Sequence, residues 1–284
     1  MEVPGGSMKI FELCLAAWLL IFSGCGKNDS TAANTPAAED LRILSLSAAA
    51  DHILDQLGAA ERIIGIDKHG KTVPAMQDKS VIVSGGQLSR EMLHKYRINY
   101  AIIWYYQADL AEWLQREGIP VMCIEPIRLN NYGKLIMSLG KLVGKETEAQ
   151  VLDRNFQNVI GGLGSPSTHL VPIYMELYSP WKTPGRESFI SDLLNLAGGC
   201  LAGAADRSGT VSPEKVCREL PQAVVCVDGY GSTEDLLKHP ALANTPAGQH
   251  KRVYKVPRRL IIEGVAPLEL LAFFKEIISQ CKGS

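Results

Sequence analysis

The chain has 284 residues, of which 46% are hydrophobic and 21% charged, and its formal net charge is −1. This length favours two domains of ordinary size, and the composition excludes fibrous, collagenous and wholly disordered chains. Because the charge is nearly balanced, the protein has no broad basic field, which argues against nucleic acid as a partner.

The amino terminus has the pattern of an export signal. Lys9 precedes an apolar run of ten residues, 13–22, and the small pair Ser23-Gly24 comes just before Cys25. This run is too short to span a membrane, and polar chain follows it at once, which is typical of a cleaved signal. We therefore predict a signal peptide over residues 1–24.

A polar segment follows the predicted cleavage point. Residues 26–40 are small and polar without an apolar period, so they cannot bury enough surface to offset the entropy of ordering. We predict that residues 25–40 form a flexible tether.

Strands and helices alternate through the rest of the chain. Apolar runs predict strands at 41–46, 62–66, 81–83, 101–104, 121–124, 171–177, 223–227 and 253–256. Periodicity predicts helices at 50–57, 90–96, 110–117, 145–160, 189–197 and 267–281. This alternation predicts an α/β fold with parallel sheets covered on both faces, and a faint repeat of Ser-x-Glu at 89–91 and 212–214 indicates two similar lobes.

The longest stretch with helical periodicity is 131–160. Breaks at Gly140 and Gly144 would leave 145–160 as one helix, about 24 Å long at 1.5 Å per residue. We predict an N-terminal lobe over 41–144, a linking helix over 145–164 and a C-terminal lobe over 165–284.

Aromatic and cationic side chains follow several predicted strands, where ligand clefts of open α/β folds form. The candidate ligand-binding residues are Lys68, His69, Trp104, Tyr105, Tyr106, Tyr178, Trp181, Arg186 and Arg259. Aromatic planes cover flat apolar ligand surface, and cations neutralise carboxylates, hydroxamates or catecholates. The alternative for each is packing at the base of a loop or a solvated surface position.

Motifs for metal binding and catalysis are few. His69 is a candidate ligand for iron within a chelate, but the chain has no HxH or HxxxH cluster for a bare metal, so any metal arrives already chelated. The sequence lacks GxSxG, GxxxxGK[ST] and HExxH, so the interpretation is a protein that is not an enzyme; an envelope lipoprotein enzyme is the alternative from another class. Cysteine spacing leaves the pairing of Cys123, Cys200, Cys217, Cys226 and Cys281 undefined.

Several segments together resemble the class III substrate-binding proteins of ABC importers, a family that includes receptors for cobalamin, hydroxamate siderophores and haem. These segments are the lipobox-like FSGC at 22–25, LRILSL at 41–46, SREML at 89–93, INYAIIW at 98–104, ESFISDLLNLAGG at 187–199 and VSPEKVCRELPQAVVCV at 211–227. The resemblance covers the chain from about residue 41 to its end. It implies two Rossmann-like lobes with central parallel sheets, one long backbone helix joining them, and a ligand cleft between them.

The resemblance also implies roles for single residues. Cys25 would carry the lipid that anchors the protein at the membrane, facing the periplasm or cell exterior. Glu91 and Glu214 would dock on the arginines of a permease, which works with its ATPase. The alternative is that each carboxylate only interacts favourably with the positive end of a helix dipole, as carboxylates in a first helical turn do.

The same resemblance implies a monomer without a cofactor, whose bound ligand is a metal chelate. The cationic residues favour a ferric siderophore or haem. A corrinoid is the alternative, although Ser84-Gly85-Gly86 stands where cobalamin receptors carry a tryptophan that covers the ligand.

Overall fold

A computed structural model describes residues 36–83, 88–164, 169–230 and 238–283. The predicted signal peptide, Cys25, most of the predicted tether and the Ser84-Gly85-Gly86 segment lie outside the described residues. None of the helices in the described ranges has the length and apolar character needed to cross a membrane.

The N-terminal sheet has five parallel strands in the order β3-β2-β1-β4-β5. Its strands are β1 Ile43–Ser45, β2 Ile63–Asp67, β3 Ser80–Val83, β4 Tyr100–Trp104 and β5 Val121–Ile124. The central strands are apolar on both sides because helices cover both faces of the sheet, and Ile43 and Leu44 are fully buried on opposite faces.

Three helices pack on this sheet: α1 Ala48–Gln56, α2 Arg90–Tyr96 and α3 Ala108–Arg116. Serine side chains begin two of them, since Ser47 Oγ accepts from the Ala50 N–H and Ser89 Oγ accepts from the Met92 N–H. These caps fix where α1 and α2 start relative to the strand ends.

A helical pair follows the N-terminal sheet: α4 Leu129–Leu142 and α5 Glu146–Gly161. The helix predicted at 145–160 is present as α5. The break predicted at Gly140 is absent, because α4 continues through Gly140 and packs along α5. A side chain at Gly140 would lie 2.3 Å from the Ala149 Cβ, so glycine permits this close approach. The break falls at Gly144, whose φ of +66° is costly for other residues.

The C-terminal sheet has four parallel strands in the order β11-β10-β6-β8. They are β6 Val171–Glu176, β8 Gly199–Leu201, β10 Ala223–Val227 and β11 Val253–Val256, and a small antiparallel ladder joins β7 Lys182–Thr183 to β9 Gly209–Thr210. Its helices are α6 Phe189–Ala197, α7 Pro213–Arg218, α8 Pro240–Ala243, α9 Pro246–Gln249 and α10 Pro267–Lys282.

The two sheets share one hydrophobic core. Its buried members run from Leu41 to Ile278, and the chain crossing from β5 to α4 is tied to the C-terminal half by polar contacts. Arg128 makes two hydrogen bonds to the Asp192 carboxylate, at 2.7 and 2.6 Å, and the Tyr132 hydroxyl donates to the Gly264 carbonyl at 3.0 Å. These contacts hold the two halves together beside the strand ends.

The α/β fold with parallel sheets is confirmed. Sequence analysis missed β8, because this strand has only three residues and follows the helix at 189–197 almost directly, and it missed the short strands β7 and β9. Residues 38–40, inside the predicted tether, form a 3-10 turn, and the Asn99 amide donates to the Asp40 carbonyl at 2.9 Å. The division into lobes and linking helix stays a prediction.

Candidate ligand-binding site

Candidate ligand residues gather at the carboxyl ends of the parallel strands in both sheets. We call the ends of β2 and β4 the N-mouth, and the ends of β6, β10 and β11 the C-mouth. Since backbone groups and loop side chains are free to reach a ligand there, these ends are where a binding site is expected.

The N-mouth carries three aromatic side chains from consecutive positions. The Trp104 and Tyr106 rings are stacked, with centroids 6.4 Å apart, and Tyr105 meets Tyr106 edge-on at 5.5 Å. Tyr105 and Tyr106 are 48% and 68% exposed, whereas Trp104 packs partly against the core. Two exposed rings, one of them stacked on Trp104, therefore present an apolar surface to a ligand.

Carboxylates lie close to these rings. The pKa of Tyr106 is raised, first by burial and then by the charges of Asp67, Tyr105 and Glu263. Glu263 accepts a hydrogen bond from the Ile127 N–H at 2.6 Å, and burial raises its pKa. The N-mouth therefore combines aromatic surface with acidic groups.

The loop after β2 places Lys68 and His69 on the exposed surface. The Asp67 carboxylate accepts from the N–H groups of His69 and Gly70, at 2.8 and 3.0 Å, which fixes the loop's first turn. Among the residues that the structure describes, no group of three or more histidine, cysteine or acidic side chains is arranged to hold a metal ion. Cys123, Cys200, Cys217, Cys226 and Cys281 are all free thiols.

The C-mouth is built around one cation. The Arg258 guanidinium lies over the Tyr178 ring at 5.6 Å and the Tyr230 ring at 5.9 Å, and these rings meet edge-on at 5.0 Å. Arginine on aromatic faces makes favourable cation–π contacts. Arg258 is exposed, so its charge is held at the strand ends and still accessible to an anionic group.

The two neighbouring arginines differ in their contacts. Arg259, the predicted ligand residue, is paired with Glu269 of α10 through two hydrogen bonds. Across the 3-10 turn Arg258–Ile261, the two guanidinium groups therefore have different partners: aromatic rings for Arg258 and a carboxylate for Arg259. Sequence analysis did not select Arg258 or Tyr230; the signal that was available is that each follows a parallel strand, as Tyr178 does.

Two other predicted residues have contacts outside the Tyr178–Arg258–Tyr230 group. The Trp181 ring stacks on Tyr174 at 5.4 Å and meets His239 edge-on at 4.6 Å. Arg186 is exposed and lies 3.4 Å from the Glu219 carboxylate. The structure therefore groups Tyr178 with Arg258 and Tyr230, and Trp181 with a neighbouring cluster.

The two serine–glutamate turns have matching geometry. Glu91 and Glu214 are exposed in the first turns of α2 and α7, behind the caps Ser89 and Ser212. The pKa of Glu214 is lowered, first by its own backbone N–H, then by the Ser212 hydroxyl and by His239. Both carboxylates are thus accessible anions on helix starts.

Two parallel β-sheets carry aromatic and cationic side chains at their strand ends, an arrangement suited to binding a small solute. A family model described as periplasmic binding protein matches residues 43–260. The chain belongs to this family, which places it among solute-binding proteins of ABC importers rather than among enzymes. The predicted resemblance to class III substrate-binding proteins is confirmed.

Solved structures share the fold. The periplasmic heme-binding protein RhuT from Roseiflexus sp. RS-1 is 22% identical, with a TM-score of 0.73 over 85% of this chain and 98% of its own. The periplasmic heme-binding protein HutB of Vibrio cholerae is 19% identical, with a TM-score of 0.74 over 84% and 98%. The vitamin B12-binding protein BtuF of Vibrio cholerae is 16% identical, with a TM-score of 0.70 over 86% and 98%. No curated protein sequence matches the chain.

Proposed function

We propose that this periplasmic binding protein captures an anionic metal chelate, either haem or a ferric siderophore, and delivers it to the permease of an ABC importer. The observation that carries the proposal is the Tyr178–Arg258–Tyr230 group at the C-mouth. A guanidinium held on two phenol rings is placed to receive a carboxylate or hydroxamate while the rings contact the ligand's apolar part.

The N-mouth supports a ligand with a large apolar surface. Tyr105 and Tyr106 expose two rings at right angles, suited to a flat macrocycle or a bulky chelate. Asp67 and Glu263 act as negative neighbours of Tyr106, whereas Arg258 is the cation on the Tyr178 and Tyr230 rings, so we place the ligand's acidic groups beside Arg258 at the C-mouth. RhuT and HutB are described as heme-binding, and a structural neighbour from Staphylococcus epidermidis, 20% identical with a TM-score of 0.66, as possibly iron-binding.

A corrinoid is the second candidate. The carboxylates of Asp67 and Glu263 near Tyr106 are suited to accept hydrogen bonds from the amide side chains of a corrinoid. BtuF of Vibrio cholerae is described as binding vitamin B12. A corrinoid has fewer acidic groups for Arg258, so we place it second.

Delivery requires contact with the membrane. We propose that Glu91 and Glu214 dock on cationic residues of the permease, and that Cys25 carries a lipid which keeps the domain near it. Both carboxylates are exposed, as docking requires.

The proposed ligand-binding residues also include Lys68 and His69 at the edge of the N-mouth, with His69 as a candidate ligand for the iron of a bound haem.

The test is an absorption spectrum of the protein purified from its native host, followed by titration with haemin, ferric enterobactin, which is an anionic tris-catecholate, and cyanocobalamin. The proposal predicts a Soret band or a ferric-siderophore charge-transfer band in the purified protein, and saturable binding of haemin or ferric enterobactin. A protein that is colourless as purified and binds none of the three would contradict it. A corrinoid spectrum would establish the second candidate in its place.

A further inference from the structure

A six-residue turn connects the C-mouth to the proposed docking carboxylate Glu214. The turn runs from Leu177 to Lys182 and is closed on itself, because the Leu177 N–H donates to the Lys182 carbonyl at 2.7 Å. The Lys182 N–H also donates to the Ser179 carbonyl, at 3.1 Å. A turn this short has little freedom to move one residue without the others.

One side of the turn belongs to the C-mouth. Tyr178 is 39% exposed, and its ring contacts Tyr230 and the Arg258 guanidinium. A ligand that displaces or orders Arg258 therefore acts directly on the first half of the turn.

The other side of the turn is fixed by Trp181. Its N–H donates to Glu176 Oε2 at 2.8 Å, and the Tyr174 hydroxyl donates to the same oxygen at 2.9 Å. The Trp181 ring lies between Tyr174 and His239, and its backbone has a φ of +59°, a left-handed conformation that is strained for tryptophan. The hydrogen bonds and ring contacts hold this strained conformation in place.

Trp181 reaches Glu214 by two routes. Along the backbone, the Trp181 carbonyl accepts from the Val211 N–H at 2.9 Å, and Val211 directly precedes Ser212, the cap of the helix that carries Glu214. Through its ring, Trp181 contacts His239, the cap of α8, and α8 packs against α7. Trp181 thus contacts both the residue that precedes the cap of α7 and the cap of the helix that packs against α7.

We propose that Trp181 is a positioning residue that couples ligand occupancy at Tyr178 to the placement of Glu214, so that the permease distinguishes loaded from empty protein. This inference rests on the proposed docking function. The observed contacts favour it over direct ligand contact by Trp181, because the ring is occupied by Tyr174 and His239. Because hydrogen bonds and ring contacts link Tyr178, residue 181 and the start of α7 without a gap, a displacement of Tyr178 is transmitted along this chain of contacts.

The first experiment measures backbone hydrogen exchange of residues 209–218, without ligand and saturated with haemin, or with ferric enterobactin or cyanocobalamin where that binds more tightly. We expect the bound chelate to change exchange in this segment of the native protein. In Trp181→Ala the change should disappear while chelate affinity stays within about threefold, a margin that is small against a lost direct contact. Trp181→Phe, which keeps an aromatic ring on Tyr174, should restore part of it.

The second experiment measures permease binding by loaded and empty protein. The native protein should show a ratio of the two affinities that moves towards one in Trp181→Ala. Trp113→Ala is the matched control, since Trp113 lies on α3 and packs, partly buried, against the core of the N-terminal sheet. Its ratio and its exchange response should equal those of the native protein.

Preserved exchange response and preserved affinity ratio in a folded Trp181→Ala protein would overturn the coupling role. Should that variant fail to fold, Trp181→Leu keeps apolar bulk and answers the same question. Failure of the docking proposal gives a different result: loaded native protein would not bind the permease, or Glu214→Arg would bind it normally, whatever residue 181 is.

Discussion

The two mouths use similar aromatic side chains, but the charged groups that neighbour Tyr106 differ in sign from the one that lies on Tyr178 and Tyr230. At the N-mouth, Tyr106 lies near the carboxylates of Asp67 and Glu263. At the C-mouth, Tyr178 and Tyr230 share the Arg258 guanidinium. Aromatic surface at both mouths selects a ligand with a large apolar area, whereas the difference in charge between the mouths sets the orientation of that ligand. A chelate with acidic groups on one edge therefore has one favoured orientation, with that edge at the C-mouth.

Reversing the charges of Glu91 and Glu214 tests whether each half of the protein contributes one docking group. We expect Glu91→Arg/Glu214→Arg to lose permease stimulation by more than about tenfold, because each attraction becomes a like-charge contact. Ligand affinity should stay unchanged, since neither residue belongs to a mouth. ATPase stimulation of the reconstituted permease measures the effect.

The matched control for this variant is Glu146→Arg/Glu148→Arg, which reverses two carboxylates in the first turn of α5. It carries a comparable unfavourable interaction with a helix dipole and also breaks the exposed Lys145–Glu148 ion pair, but it lies on neither proposed docking turn. Equal stimulation by both double variants would count against the docking assignment.

The N-mouth has a further acidic group behind it. Both carboxylate oxygens of Asp51 are buried without a hydrogen-bond partner among the described residues, and the neighbouring Ser45 hydroxyl donates to the Ser47 carbonyl instead. Burial, with a smaller contribution from Asp67, raises the pKa of Asp51 to about 8. Gly70 lies between the two acids: its N–H donates to Asp67, and a side chain there would meet Asp51.

Because the pKa of Asp51 is raised on folding, its protonated form stabilises the fold below its unfolded pKa of about 4, and this stability is lost as pH rises to about 8. Asp51→Asn keeps the neutral shape at all pH values. We expect it to unfold less readily than the native protein at pH 8, by an amount on the order of several kcal/mol, and equally at pH 4. Denaturant unfolding at both pH values measures this; a native stability that changes between pH 4 and pH 8 by the same amount as that of the variant would contradict it.

The adjacent arginines provide a test of the C-mouth. Arg258→Gln should weaken haemin binding by about 1.5–3 kcal/mol, the usual range for a hydrogen bond to a charged group. Arg259→Gln should leave affinity unchanged, because Arg259 is paired with Glu269. Isothermal titration of both variants measures the difference; a larger loss in Arg259→Gln would reverse the assignment.

The aromatic surface of the N-mouth carries a smaller expected effect. Trp104→Ala removes the ring stacked on Tyr106 and should weaken chelate binding by about 1 kcal/mol, the scale of one aromatic pair. Trp113→Ala, outside both mouths, should bind like the native protein. Identical titration curves for Trp104→Ala and Trp113→Ala would remove the N-mouth from the site.

The strands could be predicted from the sequence because a strand that is buried on both faces is a continuous apolar run, as in Ala223–Val227, where every residue is buried. It also predicted Tyr105, Tyr106 and Tyr178 as strand-end aromatics. It did not separate Arg258 from Arg259, since that choice depends on a 3-10 turn between neighbouring cations. Nor did it predict the left-handed backbone of Trp181, because nothing in a tryptophan's local sequence indicates a conformation that only tertiary contacts hold.

The central claim is that Arg258 receives the acidic edge of the chelate. The most direct measurement compares haemin with its dimethyl ester, in which the carboxylates are neutral, on native protein and on Arg258→Gln. We expect the ester to bind the native protein about tenfold or more weakly than haemin, as loss of a charge-assisted contact requires, and to bind the variant as well as haemin does. An equal preference for haemin in both proteins would show that the acidic edge lies elsewhere.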